Sequence, residues 1–115
     1  ATPQYVAKGA VVTNSLIGGG ANIYGTVINS VISSGVTVAK GAVVKDSVIF
    51  ANAQIGEKAV VEYSIIDENV KIGKKAVIGE AKEANKGIAV VGRGSVILDK
   101  ETVPAGANID QGGVR

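Results

Sequence analysis

The chain contains no histidine and no cysteine. Without cysteine there can be no disulfide and no thiolate metal site. Without histidine the commonest general base and the commonest metal ligand are also missing. Methionine and tryptophan are absent too, and aromatic residues make up only 3% of a chain that is 46% hydrophobic. Whatever core exists must be built from Val, Ile and Ala, which suits a narrow interior with no room for rings. Apolar runs never exceed a few residues, so no membrane-spanning helix is expected, and no secretory signal opens the chain. The expected location is cytoplasmic. A formal charge of +2 gives no ground for binding nucleic acid or a membrane surface.

Glycine is plentiful, at 16 residues against two prolines, which points to repeated tight turns. Those turns have a period. Val27-Ile-Asn-Ser-Val-Ile32, Val44-Lys-Asp-Ser-Val-Ile49 and Val61-Glu-Tyr-Ser-Ile-Ile66 recur every 17 residues. Aliphatic anchors fall at 27, 32, 38, then 44, 49, 55, then 61, 66, 72, and then 78, in steps of five, six and six. A fixed period of this length marks a solenoid. Earlier anchors stand at Val6, Val12, Ile17 and Ile23, and the step from Ile23 to Val27 is only four, so Tyr24-Gly25-Thr26 reads as a tightened corner.

Two further columns define the coil. The position two before each anchor is small or β-branched throughout: Ala10, Ser15, Ala21, Ser30, Val36, Ala42, Ser47, Ala53, Ala59, Ser64, Val70 and Ala76. Residues i and i−2 share a strand face, so both point into the same confined interior. One residue earlier stand Gly9, Asn14, Gly20, Asn29, Gly35, Gly41, Asp46, Asn52 and Asn69, with Lys58, Tyr63 and Lys75 as exceptions. Gly and Asn tolerate positive φ best, so this column marks the corners. Three strands, three corners and three anchors per coil describe a triangular prism. The fold expected is all-β, a single-stranded parallel β-helix of about five or six coils.

Residues 1–5 form an aperiodic lead-in and residues 6–115 the helix domain, interrupted at about 79–90. Gly79-Glu-Ala-Lys-Glu-Ala-Asn-Lys-Gly87 lacks anchors and is expected to leave the prism as a loop; the period resumes at Val91, Ile97, Val103 and Ile109. The tail Gln111–Arg115 is expected to fray. Gly18-Gly-Gly20 lacks the Gly-Lys-Ser/Thr of a phosphate loop, so it reads as a turn, as does Gly92-Arg-Gly94. Lys71, Lys74 and Lys75 stand near Asp67 and Glu68 and read as a solvated face.

Residues just before the anchors should face outward. One such column reads Leu16, Val31, Val48, Ile65 and another Val11, Val43, Val60, Val77; the third, Asn22, Thr37, Gln54, Lys71, is polar. Aliphatic stripes on an outer surface suggest contact, which makes Leu16, Val31, Val48, Ile65, Val43, Val60 and Val77 candidate interface residues for a homo- or hetero-oligomer. Residues 9–39 carry no charge, so the open strand edges of the N-terminal end are expected to pack on another domain or subunit.

Asn14-Ser-Leu-Ile17, Gly25-Thr-Val-Ile-Asn-Ser-Val-Ile32, Gly41-Ala-Val-Val-Lys-Asp-Ser-Val-Ile49 and Ile55-Gly-Glu-Lys-Ala59 resemble the C-terminal β-helix of bacterial ADP-glucose pyrophosphorylase, glucose-1-phosphate adenylyltransferase. Pro3-Gln-Tyr5 and Ile88-Ala-Val-Val-Gly-Arg-Gly-Ser-Val-Ile97 are similar to its entering segment and late coils. The resemblance implies left-handed winding and a regulatory and oligomerisation domain, of the catalytic or the regulatory-type subunit. The enzyme it implies joins ATP and glucose 1-phosphate into ADP-glucose and pyrophosphate for glycogen biosynthesis. That family's catalytic motifs, a Gly-rich loop followed by Thr-Arg-Leu and a Lys-Pro pair, are absent here, so no catalytic residue, cofactor or metal is expected in this chain. The alternatives are the β-helix of another sugar-phosphate nucleotidyltransferase and a free-standing structural adaptor. Hexapeptide-repeat acyltransferases and carbonic-anhydrase-like proteins rely on histidines that this chain lacks.

Overall fold

A computed structural model describes residues 3–114. The strands lie in three parallel sheets of six strands each, and consecutive strands of any one sheet are separated by one strand from each of the other two. Every coil therefore lays one strand on each face, as the three anchors per coil require. Face A is made of Tyr5–Val6, Asn22–Ile23, Thr37–Val38, Gln54–Ile55, Lys71–Ile72 and Val96–Ile97. Face B follows with Val11–Thr13, Thr26–Ile28, Val43–Lys45, Val60–Glu62, Val77–Ile78 and Thr102–Val103. Face C completes each coil with Leu16–Ile17, Val31–Ile32, Val48–Ile49, Ser64–Ile66, Ala89–Val91 and Asn108–Ile109. The first strand begins at Tyr5.

The anchors stack in register up each face and form the core. Ile23, Val27, Val38, Val44, Ile49, Val61, Ile66 and Ile78 are fully buried, with Ala21, Val36, Ala42, Ala53, Ala59, Val70 and Ala76 filling the space between them. A methyl or β-branched group is all that the two-residue offset leaves room for. The sealing differs at the two ends. Val6 remains 45% exposed and Val12 and Ile17 are only half-buried, whereas Val103 is fully buried in the last coil.

The tail up to Val114 does not fray as expected but pairs with the last strand of face A. The Val96 N–H donates to the Gly113 carbonyl (2.7 Å), the Gly112 N–H donates to the Arg93 carbonyl (2.8 Å), and Val114 bridges Val96 in parallel. The segment up to Val114 thus starts a seventh row over face A, and Arg115 lies outside the described residues.

All twelve residues of the corner column have positive φ, including Lys58 (61°), Tyr63 (47°) and Lys75 (60°). These three are exceptions in residue type only. The stacked hydrogen bonds hold the backbone in a conformation that costs a non-glycine residue about 1–2 kcal/mol. The excursion spans residues 79–88, with one short 3-10 turn at Lys82–Ala84, and Ala89 is already back in a strand. Eight residues are thereby added between faces B and C of the fifth coil, since Ile78 to Val91 is 13 steps where Val61 to Ile66 is five. The coils above and below still pair in register, Ser64 with Ala89 and Val90 with Asn108. The Cα envelope measures 32 × 29 × 21 Å. Six coils spaced about 4.8 Å apart make a prism about as wide as it is tall.

Candidate contact surface

The outward residues of face C stack as Leu16, Val31, Val48, Ile65, Val90 and Asn108. Leu16 is 71% exposed and Val31 40%, while Val48, Ile65 and Val90 are half-buried. Face B runs Val11, Thr26, Val43, Val60, Val77 and Thr102. The sequence columns are thus stacked in register up the two faces, with one extension and one interruption. Val90 extends face C beyond the excursion. Thr26 interrupts face B, and counting the four-residue step would have placed it opposite Val43. Face A presents Asn22, Thr37, Gln54 and Lys71 between Tyr5 and Val96, and is the polar side.

The two aliphatic faces meet at the corner formed by Asn14, Asn29, Asp46 and Tyr63. Here the Asn14 side-chain amide donates to Oδ1 of Asn29 (2.7 Å). A groove of about 470 Å³ follows this corner, lined by those four residues, Val31, Val48 and Lys82 among others. The excursion therefore folds back along the corner from which it leaves and brings Lys82 beside earlier coils. Nothing in the sequence signals that placement, because the loop has no period.

Inside the same corner runs a relay that the sequence shows only as a column of small residues. The Ser15 hydroxyl donates to the Thr13 carbonyl (2.8 Å) and accepts the Ser30 N–H (3.0 Å). Ser30 repeats this with the Ile28 carbonyl (2.8 Å) and the Ser47 N–H (3.1 Å). Ser47 does so with the Lys45 carbonyl (2.8 Å) and the Ser64 N–H (3.1 Å), and Ser64 donates to the Glu62 carbonyl (2.7 Å). Ser30, Ser47 and Ser64 are at most 4% exposed. The hydroxyls of Ser15, Ser30 and Ser47 thus each satisfy an N–H of the next coil that a five-residue step leaves without a carbonyl. The relay stops where the excursion begins, for Ala89 occupies the next place in the column.

Among the described residues no three His, Cys, Asp or Glu side chains are close enough to hold a metal. No described helix is long and apolar enough to cross a membrane. Lys71, Lys74 and Lys75 are exposed, and Lys74 pairs with Glu57 at 3.7 Å. Gly20 and Gly94 are corners, at φ 72° and 73°.

A family model described as "GlmU-like, C-terminal hexapeptide" matches residues 3–98. The chain belongs to the GlmU-like C-terminal hexapeptide family. Within that family's reach its sequence is similar to glucose-1-phosphate adenylyltransferase of Thermotoga maritima, 54% identical over 43 residues, which is 37% of this chain and 10% of the relative. The enzyme of the same name from Thermosipho africanus is 51% identical over 43 residues, with the same coverage. That from Lachnospira eligens is 56% identical over 36 residues, 31% of this chain and 8% of the relative. The matched segment spans about a tenth of these relatives. Among solved structures, the acetyltransferase domain of PglB from Neisseria gonorrhoeae superimposes with a TM-score of 0.63, covering 97% of this chain and 53% of that one. At 21% identity that likeness shows the hexapeptide fold alone.

Proposed function

We propose that this chain is the regulatory and oligomerisation domain of a cytoplasmic glucose-1-phosphate adenylyltransferase, with no catalytic role of its own. The observation that supports this most is the local identity of 54% to enzymes of that name within a hexapeptide-family chain. The surface agrees with it. Faces B and C carry aliphatic stripes, and the first coil leaves Val6, Val11 and Leu16 between 45% and 71% exposed, as a buried junction with a nucleotide-binding domain would require. Each face is roughly 20 Å across and 25 Å tall, or about 500 Å². A stable interface needs about 800 Å² from each partner. One stripe is therefore too small alone, and both stripes, or one stripe with the N-terminal end, take part in assembly.

The test is to express the chain joined to whatever its natural reading frame places before Ala1, and to assay pyrophosphate release from ATP and glucose 1-phosphate. Activity in the joined protein and none in this chain alone is the expected result. A natural start at this point, with a soluble monomer and no partner, would instead support the free-standing adaptor.

A further inference from the structure

The corner between faces A and B is a stack of two-residue turns: Lys8-Gly9, Lys40-Gly41, Glu57-Lys58, Lys74-Lys75 and Asp99-Lys100. In the upper coils the second residue of each turn donates its N–H to the turn below. Lys58 donates to the Lys40 carbonyl (3.2 Å), Lys75 to that of Glu57 (2.9 Å) and Lys100 to that of Lys74 (2.8 Å). The second coil has no turn here. Tyr24 runs straight into Gly25, which takes the place that Ala10 holds below and Ala42 above, as the bonds from Val11 N–H to Gly25 O (3.1 Å) and from Thr26 N–H to Ala42 O (2.9 Å) show. A Cβ on Gly25 would collide with the Ala42 carbonyl, so the shortened chain is drawn tight against the coil above.

The missing turn leaves a notch of about 430 Å³, bounded by Lys8 and Gly9 below, Lys40 and Gly41 above, and Tyr24 and Gly25 at the back. Gly41 N–H is the counterpart of the bonded N–H groups of Lys58, Lys75 and Lys100, yet it has no partner among the described residues. The carbonyl of Lys8, counterpart of those of Lys40, Glu57 and Lys74, has none either. The notch thus presents one donor and one acceptor across a gap one chain thick. It is also positively charged. No Asp or Glu precedes Asp46 in the sequence, and neither lysine forms an ion pair among the described residues, whereas the turns above include Glu57 and Asp99.

We propose that this notch docks an acidic peptide segment of a partner protein, whose backbone takes the place of the absent turn. The partner's carbonyl accepts from Gly41 N–H, its N–H donates to the Lys8 carbonyl, and a carboxylate side chain lies between the ammonium groups of Lys8 and Lys40. Main-chain pairing with an incomplete β-structure is an established mode of peptide recognition. A free phosphate fits less well, because it answers the lysines and the N–H but sets its charge against the Lys8 carbonyl.

The experiment follows the Gly41 amide resonance of the 15N-labelled chain during titration with acetyl-Asp-Gly-Asp-amide, with the Asn-Gly-Asn counterpart, and with inorganic phosphate. A saturable Gly41 shift with a Kd on the order of 1 mM is expected for the acidic peptide. The Asn peptide, and the acidic peptide on a Lys8→Ala, Lys40→Ala double variant, should bind roughly fivefold or more weakly. Inserting Lys-Gly after Tyr24 restores the turn in the chain itself and should abolish the response. The lysines sit at exposed turns, so the double variant stays folded and informative even if the insertion does not. The proposal is overturned if no saturable shift occurs, if the Asn peptide or the double variant binds equally well, or if phosphate saturates Gly41 and the peptide does not.

Discussion

Replacing Ser47 with Ala tests whether the serine relay holds the five-residue corner together. The hydroxyl is buried, with the residue 3% exposed, and it makes two bonds, to the Lys45 carbonyl at 2.8 Å and from the Ser64 N–H at 3.1 Å. Their losses differ in weight. The Lys45 carbonyl keeps a second partner, the Tyr63 N–H at 3.0 Å, so it remains satisfied. The Ser64 N–H keeps none, and an orphaned buried donor costs about 1–3 kcal/mol. The volume change is one oxygen, too small to add a large cavity term. We therefore expect a loss of about 2 kcal/mol, which lowers the melting temperature of a domain this size by roughly 8 °C. Ser15→Ala is the internal control, since Ser15 makes equivalent bonds but lies half-exposed in the first coil, where water can replace the hydroxyl. Thermal and urea unfolding followed by circular dichroism, with hydrogen exchange at the Ser64 amide, reads both effects. If Ser47→Ala costs no more than Ser15→Ala, or if the Ser64 amide stays fully protected, the relay contributes nothing and the reasoning fails.

Three further substitutions follow from the same geometry. Gly79 is buried at φ 75°, and a Cβ there would meet the Glu62 carbonyl and Ser64 Oγ (2.5 Å), so Gly79→Ala should destabilise by more than about 2 kcal/mol in urea unfolding. Deleting residues 80–87 together with Ile88→Asn restores the five-residue step from Ile78 to Val91; the variant should keep its β circular dichroism and melt within about 5 °C of the parent, because turn-compatible loop changes cost little. Loss of the fold would show instead that the excursion holds the fifth coil in place. Lys75 carries φ 60° at an exposed corner, so Lys75→Gly should raise stability by about 0.5–1 kcal/mol; a decrease would mean that the lysine side chain contributes more than the strain costs.

How far the fold could be read ahead depended on what repeats. The anchors from Val27 to Ile78 carry a period, and the period alone places them inside, all of them essentially fully buried. Lys58, Tyr63 and Lys75 were out of character as residue types, yet their phase was right, and phase decided their conformation. Single events were less legible. The docking of Gly112 and Val114 on the last coil depends on backbone edges that sequence does not display, and Lys82 reaches the corner groove through a loop with no pattern. The serines illustrate a third case. Their position was visible, but not their chemistry, because an inward small residue and a buried hydrogen-bond relay look alike until the coils are stacked.

The surface stripes of faces B and C carry the claim that this chain is an assembly element. Its most direct test is the molar mass, by multi-angle light scattering, of the protein with Val31, Val48 and Ile65 all changed to Lys, measured beside the parent protein. All three residues point outward on face C, so the variant should fold with an unchanged β spectrum. A smaller assembly is the predicted result. An unchanged assembly mass from a folded triple variant would contradict the account.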